Sequence, residues 1–282
     1  MDKKISQQIA FMLFRILGIM VVGILCWILG FIVYHGIGVI SWEFLTTAPT
    51  EGMTAGGIFP AIVGTLCLIA GSMIFAFPLG IMSAIYTNEY AGNGWIVQFI
   101  RVMTNNLGGI PSIVFGLFGM SLFVNTLKFG DSILAGSLTL GLLVLPLVIR
   151  TSEEALKAIP NSFRTGSLAL GASKLQTIRK VILPVAFPNI MTGLILSIGR
   201  VSGETAPILF TVAAYFLPKL PGSMFDQVMA LPYHLYVIAT SGTDIEAARP
   251  IAYGTALVLI AIVLAMNLLA AFIRRKFQKI KN

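Results

Sequence analysis

Arg200 and Glu204 are the only opposite charges well inside an apolar stretch of this chain. Four residues apart on a helix, they share a face and can touch. An arginine in an apolar setting suits an oxyanion, because its planar fork offers paired donors and keeps its charge at any working pH. A carboxylate beside it would stop the guanidinium from trapping that anion, and could take up a proton. The same pair is also consistent with an intrahelical ion pair that only fixes packing. Gly199, Gly203, Thr205 and Pro207 surround it. Glycine permits close backbone approach, and Pro207 frees a carbonyl one turn earlier. The segment is therefore expected to bend, with Thr205 behind the pair.

Other chemistry is missing. The sequence contains no GxxxxGK[ST] phosphate loop, no serine nucleophile elbow and no HExxH. Cys26 and Cys67 lie in apolar runs without metal-ligand spacing and read as small buried hydrophobes. His35 and His234 are far apart. The expectation is a chain that catalyses no reaction and holds no metal.

The elements that must position Arg200 are unusually apolar. Of 282 residues, 57% are hydrophobic and 11% charged, where a soluble domain carries about a quarter charged residues. A helix needs about twenty apolar residues to cross a bilayer. Six stretches qualify, roughly 16–36, 58–82, 105–125, 132–149, 185–212 and 251–272. The first is too long for a signal-peptide core and lacks a cleavage site, so it reads as a retained span. The expected fold is all-α and polytopic, with one membrane domain over 16–274, a short N-terminus over 1–15 and a basic tail over 275–282. The third span opens on Asn105-Asn106-Leu107-Gly108-Gly109-Ile110-Pro111-Ser112 and reads as a distorted helix with small-residue packing. Pro78, Pro146 and Pro188 are expected at kinks or interface ends.

Orientation follows from the basic residues. With the N-terminus placed inside, Lys128, Lys219 and Arg249 fall outside and Arg200 falls within a span, leaving fifteen of the nineteen Lys and Arg on the inner face. Both termini are therefore expected in the cytoplasm, and the net charge of +8 reads as membrane orientation, with no nucleic-acid partner. The longest inner connection, about 150–184, predicts a short helix over 162–170, a turn at Gly171 and a second helix over 172–183. Leu168, Leu170, Leu175, Ile178 and Ile182 give it an apolar side suited to packing or docking. The outer connection 213–250, with Pro218, Pro221, Pro232, Tyr215, Tyr233, Tyr236, Asp226, Asp244 and Glu246, suits either a receiving surface or a plain cap.

At this point the residues resemble a known family. Gly171, then nine residues, Val181, one residue and Leu183-Pro184 are similar to the cytoplasmic loop of ABC-importer permeases, which runs Glu-Ala-Ala, three residues, Gly, nine residues, Ile, one residue, Leu-Pro. Thr165, Gly166 and Ser167 stand at the Glu-Ala-Ala positions, a departure from the family. Gly109-Ile110-Pro111-Ser112-Ile113-Val114-Phe115-Gly116-Leu117-Phe118 resembles the third-helix signature of phosphate permeases. Gly199-Arg200-Val201-Ser202-Gly203-Glu204-Thr205-Ala206-Pro207 resembles the Gly-Glu-Thr-Ala-Pro signature of the PstA type. The likeness runs from about 56 to 274.

The resemblance implies a type I ABC importer permease fold and one part in a larger machine. It implies a sister permease of the PstC type, two copies of a PstB-type subunit that bind and hydrolyse ATP with magnesium, and a PstS-type phosphate-binding protein. It implies that Ser167, Leu168, Leu170, Gly171, Ala172 and Lys174 belong to a coupling helix that docks on the ATPase. By the same carry-over, Arg200, Glu204 and Thr205 line the pathway for phosphate across the inner membrane. A permease for molybdate, tungstate or sulfate, a proton-coupled transporter using Glu204, and a non-transporting sensor scaffold remain as alternatives.

Overall fold

The computed structural model describes residues 3–92, 94–241 and 245–279. It is built of helices, with one two-residue hairpin. The first helix, α1 (Lys3–Gly36), is 34 residues long, about 50 Å, well over the ~30 Å hydrocarbon core. A short helix α2 (Trp42–Thr46), capped by the Ser41 hydroxyl on the Phe44 amide, leads into β1 (Pro49–Thr50) and its antiparallel partner β2 (Ala55–Gly56). Then come α3 (Phe59–Ile85), which ends in a π-helical turn over 86–90, α4 (Trp95–Leu107), and α5 (Ser112–Gly119), which continues as π-helix to Thr126. The remainder is α6 (Ile133–Lys157), α7 (Asn161–Ala169), α8 (Lys174–Thr177), α9 (Leu183–Gly203), α10 (Ala206–Leu209), α11 (Leu231–Thr240) and α12 (Ile245–Lys279).

Among the described residues, five helical runs are long and apolar enough to cross a membrane: Gln7–Val39, Phe59–Tyr90, Ile133–Lys157, Lys174–Gly203 and Ile245–Phe277. The chain is thus a polytopic all-α membrane protein. The stretch expected as the third span differs from the expectation. It is two helices, α4 and α5, bent by 103° at Gly108–Pro111. The cause lies in the breakers: Pro111 cannot donate to the preceding turn, and it forces the residue before it out of helical conformation. At thirteen residues, α4 is too short to cross alone. By contrast, α3, α6 and α9 run through Pro78, Pro146 and Pro188.

The other boundaries shift as well. The helix expected over 172–183 is the opening of one continuous run from Lys174 to Gly203. Its start is fixed by a reciprocal cap: the Gln176 amide donates to Ser173 Oγ, and the Ser173 amide donates to the Gln176 side chain. The inner connection shrinks to 158–173, because α6 continues to Lys157. The span expected over 185–212 ends early, at Gly203.

The core is a packed set of α3, α6, α9 and α12. Parallel α3 and α6 meet along a glycine seam, where a Cβ at Gly71 would overlap Ser137 and one at Gly80 would overlap Val148. Antiparallel α6 and α9 meet at Gly193 and Thr151. One apolar cluster fills the middle, around Leu68, Leu140, Val144, Ile198 and Ile208. A second, with Phe44, Met53, Ile58 and Leu231, lies at one end. A third, with Ala84, Leu156, Ile182 and Ile190, lies at the end that carries α7.

The segment after α10 is a built cap. Carbonyls of Thr211, Asp226 and Met224 accept the free amides of Ser132, Ile133 and Leu134 at the start of α6. Asp244, expected in that connection, lies outside the described residues. Helix α1 stands apart. Every described side chain from Gln7 to His35 is exposed except half-buried Ile32. Cys26 is therefore uncovered rather than buried, and Cys67 is half-buried. At its last turn, Phe31 and His35 pack on Tyr253 of α12 at 5.7 and 5.1 Å between ring centres.

Candidate functional site: a two-arginine cavity and an exposed loop

Arg200 sits in the last turn of α9, and Glu204 follows directly after that helix ends. The backbone turns extended at Glu204 (φ −76°, ψ 127°), so the helix breaks at the pair itself. The pair is expected near the middle of a span that bends beside it. The break falls one turn before Pro207, which leaves the Gly203 carbonyl without its i+4 donor, and the separate helix α10 begins at Ala206. The pair still closes, with Arg200 Nε donating to Glu204 Oε1 at 3.4 Å. That is a long bond, and Arg200 keeps 36% of its side-chain exposure against 17% for Glu204. The guanidinium therefore has donors to spare.

Those donors face a cavity of about 340 Å³ lined by Thr104, Asn105, Gly108, Gly109, Leu143, Pro146, Leu147, Arg150 and Arg200. The 103° corner between α4 and α5 forms one wall. Arg150, counted in the sequence only as an inner-face charge, turns out to share this cavity with Arg200. Its own partner is Glu154 at 3.4 Å, with both side chains about two-thirds exposed. A pair so exposed holds weakly, at about 0–1 kcal/mol. Two arginines from different helices, Arg150 of α6 and Arg200 of α9, thus line one cavity.

Thr205 is half-buried, does not cap α10 through its side chain, and is not in the cavity lining. It stands at the start of the segment that packs on α5. A Cβ at Gly116 would lie 2.9 Å from the Ala206 carbonyl and 3.0 Å from the Pro207 Cα. The two sequence signatures at 109–118 and 199–207 thus touch in space.

A smaller cavity of about 170 Å³ adjoins through Thr104, Asn105 and Arg150. Its anchor is Glu153, buried on α6. Thr87 Oγ1 donates to Glu153 Oε1 at 2.6 Å, while Lys157 Nζ and Arg101 Nε approach Oε2 at 3.2 and 3.4 Å. This cluster joins α3, α4 and α6. Nothing in the sequence spacing announced it.

The loop residues separate into two groups. Gly171 makes the expected turn, with φ +82°. Leu168, Leu170 and Leu175 are exposed at 48%, 90% and 65%, whereas Ile178 and Ile182 are buried, Ile182 within the third apolar cluster. The apolar side expected there thus divides into an outer face and an inner anchor. Ser167 Oγ lies 2.9 Å from Thr177 Oγ1, and Ala172 is half-buried. Lys174 Nζ stands over the Tyr90 ring at 4.9 Å. Among the described residues, no group of three or more His, Cys, Asp or Glu could hold a metal.

The model for the binding-protein-dependent transport system inner membrane component matches residues 76–279. The chain belongs to that family. As a binding-protein-dependent permease, it is the membrane-spanning subunit of an ABC importer. It is 33% identical to the probable ABC transporter permease protein YqgI of Bacillus subtilis, over 97% of this chain and 96% of that one. It is 38% identical to the phosphate transport system permease protein PstA 1 of Mycobacterium tuberculosis, over 89% of this chain and 82% of that one. Its fold is that of a solved bacterial ABC transporter for the acidic polysaccharide alginate, with TM-score 0.69 at 15% identity, covering 97% of this chain and 99% of that one. The MetNI methionine transporter gives 0.61 at 18% identity, covering 81% of this chain and 99% of that one.

Proposed function

We propose that this permease subunit carries inorganic phosphate inward, paired with a PstC-type sister subunit. A phosphate-binding protein would supply the anion, and a PstB-type ATPase pair, which binds the ATP and magnesium, would drive the cycle. The observation that carries the reading is the cavity where Arg200 and Arg150 meet beside the Gly108–Gly109 corner. Phosphate at neutral pH carries one to two charges on a tetrahedron of oxygens. Two guanidinium forks suit that shape, and small glycines let the anion approach backbone. The name of the Mycobacterium relative favours phosphate among oxyanions.

In this reading Arg200 attracts the anion and Glu204 keeps the attraction shallow. A transport site must release what it binds, and a carboxylate at 3.4 Å offers the arginine an alternative partner. The end bearing α7 faces the cytoplasm, as the fifteen inner-face basic residues favour. The exposed Leu170 and Leu175 then form the face that docks on the ATPase, while Leu168, half exposed, also lines the cavity beside α7.

The test is ATP-dependent uptake of labelled phosphate in proteoliposomes holding this chain with its candidate partners. Wild type should import phosphate, with unlabelled molybdate and sulfate competing poorly. Arg200→Ala and Glu204→Ala should assemble and hydrolyse ATP yet fail to import. Normal import by both variants would make the pair structural. Import driven by a proton gradient without ATP would overturn the reading.

A further inference from the structure

Helix α7 has no buried residue of its own. On its inner side lies a cavity of about 410 Å³, lined by Asn88, Glu89, Lys157, Asn161, Arg164, Leu168, Lys174, Thr177 and Ile178. Apolar packing therefore does not fix this helix to the bundle. One side chain bridges the gap. Arg164 Nε donates to both oxygens of Glu89 at 3.2 Å each, and Nη2 donates to Glu89 Oε1 at 2.8 Å. The same guanidinium also donates Nη2 to the Leu156 carbonyl at 2.9 Å and Nη1 to the Ile159 carbonyl at 2.8 Å. Leu156 lies in the last turn of α6 and Ile159 two residues beyond its end, so both carbonyls sit where that helix stops.

The bond set is strong for physical reasons. Arg164 and Glu89 keep only 18% and 7% of their side-chain exposure, so salt and water screen the pair little. The fork geometry uses all three guanidinium nitrogens, which lysine cannot reproduce. Glu89 lies in the π-helical turn that ends α3. Thus one residue of α7 holds the ends of both α3 and α6, the two helices joined by the glycine seam. The second polar tie, Ser167 to Thr177, is a single neutral hydrogen bond.

We infer that the Arg164–Glu89 pair is a transmission joint: it converts displacement of α7 by the ATPase into movement of the α3–α6 unit, and so of the wall that carries Arg150. This rests on the reading that α7 is the docking element. Arg164 is a positioning residue and touches no substrate. Without the joint, α7 could move across the 410 Å³ cavity while α3 and α6 stay still.

The experiment uses the full reconstituted transporter and measures phosphate uptake and ATP hydrolysis in the same vesicles. Arg164→Lys and Glu89→Gln should assemble and hydrolyse ATP near the wild-type rate. Phosphate moved per ATP should fall about tenfold, within the 5–150-fold range of typical site-to-site coupling. In a Cys26→Ser, Cys67→Ser background, a short bifunctional thiol reagent linking Glu89→Cys to Arg164→Cys should restore uptake. An unchanged ratio in both variants would overturn the joint, as would loss of the ATPase subunit from the complex, which would make the pair a folding contact. The underlying reading is tested separately, by cross-linking Leu170→Cys to the ATPase in otherwise wild-type protein. Absence of that cross-link sinks the docking assignment whatever the ratios show.

Discussion

Arg164, Arg200 and Arg150 differ in what they are free to do. Arg164 has every nitrogen engaged. Arg200 makes one long bond. Arg150 makes one exposed bond. Arg150→Gln is therefore expected to change thermal stability by less than about 1 kcal/mol while lowering phosphate uptake, since its charge serves the cavity. Melting in detergent beside uptake in vesicles checks both halves, and unchanged uptake would remove Arg150 from the pathway. At Glu204 the sign differs. Glu204→Gln removes the competitor for Arg200, so phosphate should be held longer, with slower turnover and tighter retention in a binding assay. The sequence showed Arg200 and Glu204 because four-residue spacing is a local signal. It could not show Arg150 beside Arg200, or Arg164 on Glu89, 75 positions apart, because only folding brings those together.

At the scale of the helix, the seam between α3 and α6 sets how far the two can separate. Gly80→Val would place its side chain against Val148, and overpacking of this kind typically costs about 1–3 kcal/mol. A lower melting temperature in detergent is the expected result. The loop face makes the opposite prediction. Leu170 is 90% exposed, so Leu170→Glu should leave melting unchanged yet strip the ATPase subunit from the complex during purification. Helix ends were legible where a cap or a glycine turn marks them, as at Gly171. The corner at Gly108–Pro111 was misread because an apolar count over 105–125 averages across it. The breakers were visible, but the size of their consequence, a 103° change of direction, is a property of the folded chain that spacing alone does not give.

For the molecule as a whole, composition alone gave a membrane-spanning bundle, since nothing but lipid solvates so much apolar surface. The segment between the fifth and sixth spans was undecided from its residues. It proves to be a cap on the start of α6 followed by α11, which carries His234, 1% exposed with both ring nitrogens lacking partners. Burial pushes this imidazole down to about 4, against about 6.5 when unfolded. The fold thus favours the neutral ring, and its contribution is complete above pH 6.5 and lost as pH falls toward 4. His234→Leu should lose less stability than wild type on acidification across that window, as followed by melting in detergent. A parallel loss would exclude the histidine as the cause. The isolation of α1 bears on how the protein is made. Because, among the described residues, that helix meets the rest mainly at its last turns, where Phe31, His35 and Gly36 reach Tyr253, its entry into the bilayer gains little from later segments. Early in synthesis it can settle in lipid as a tether. The remaining helices, whose apolar faces are partly reserved for one another, gain their full stabilisation only after α12, the last of them, has arrived.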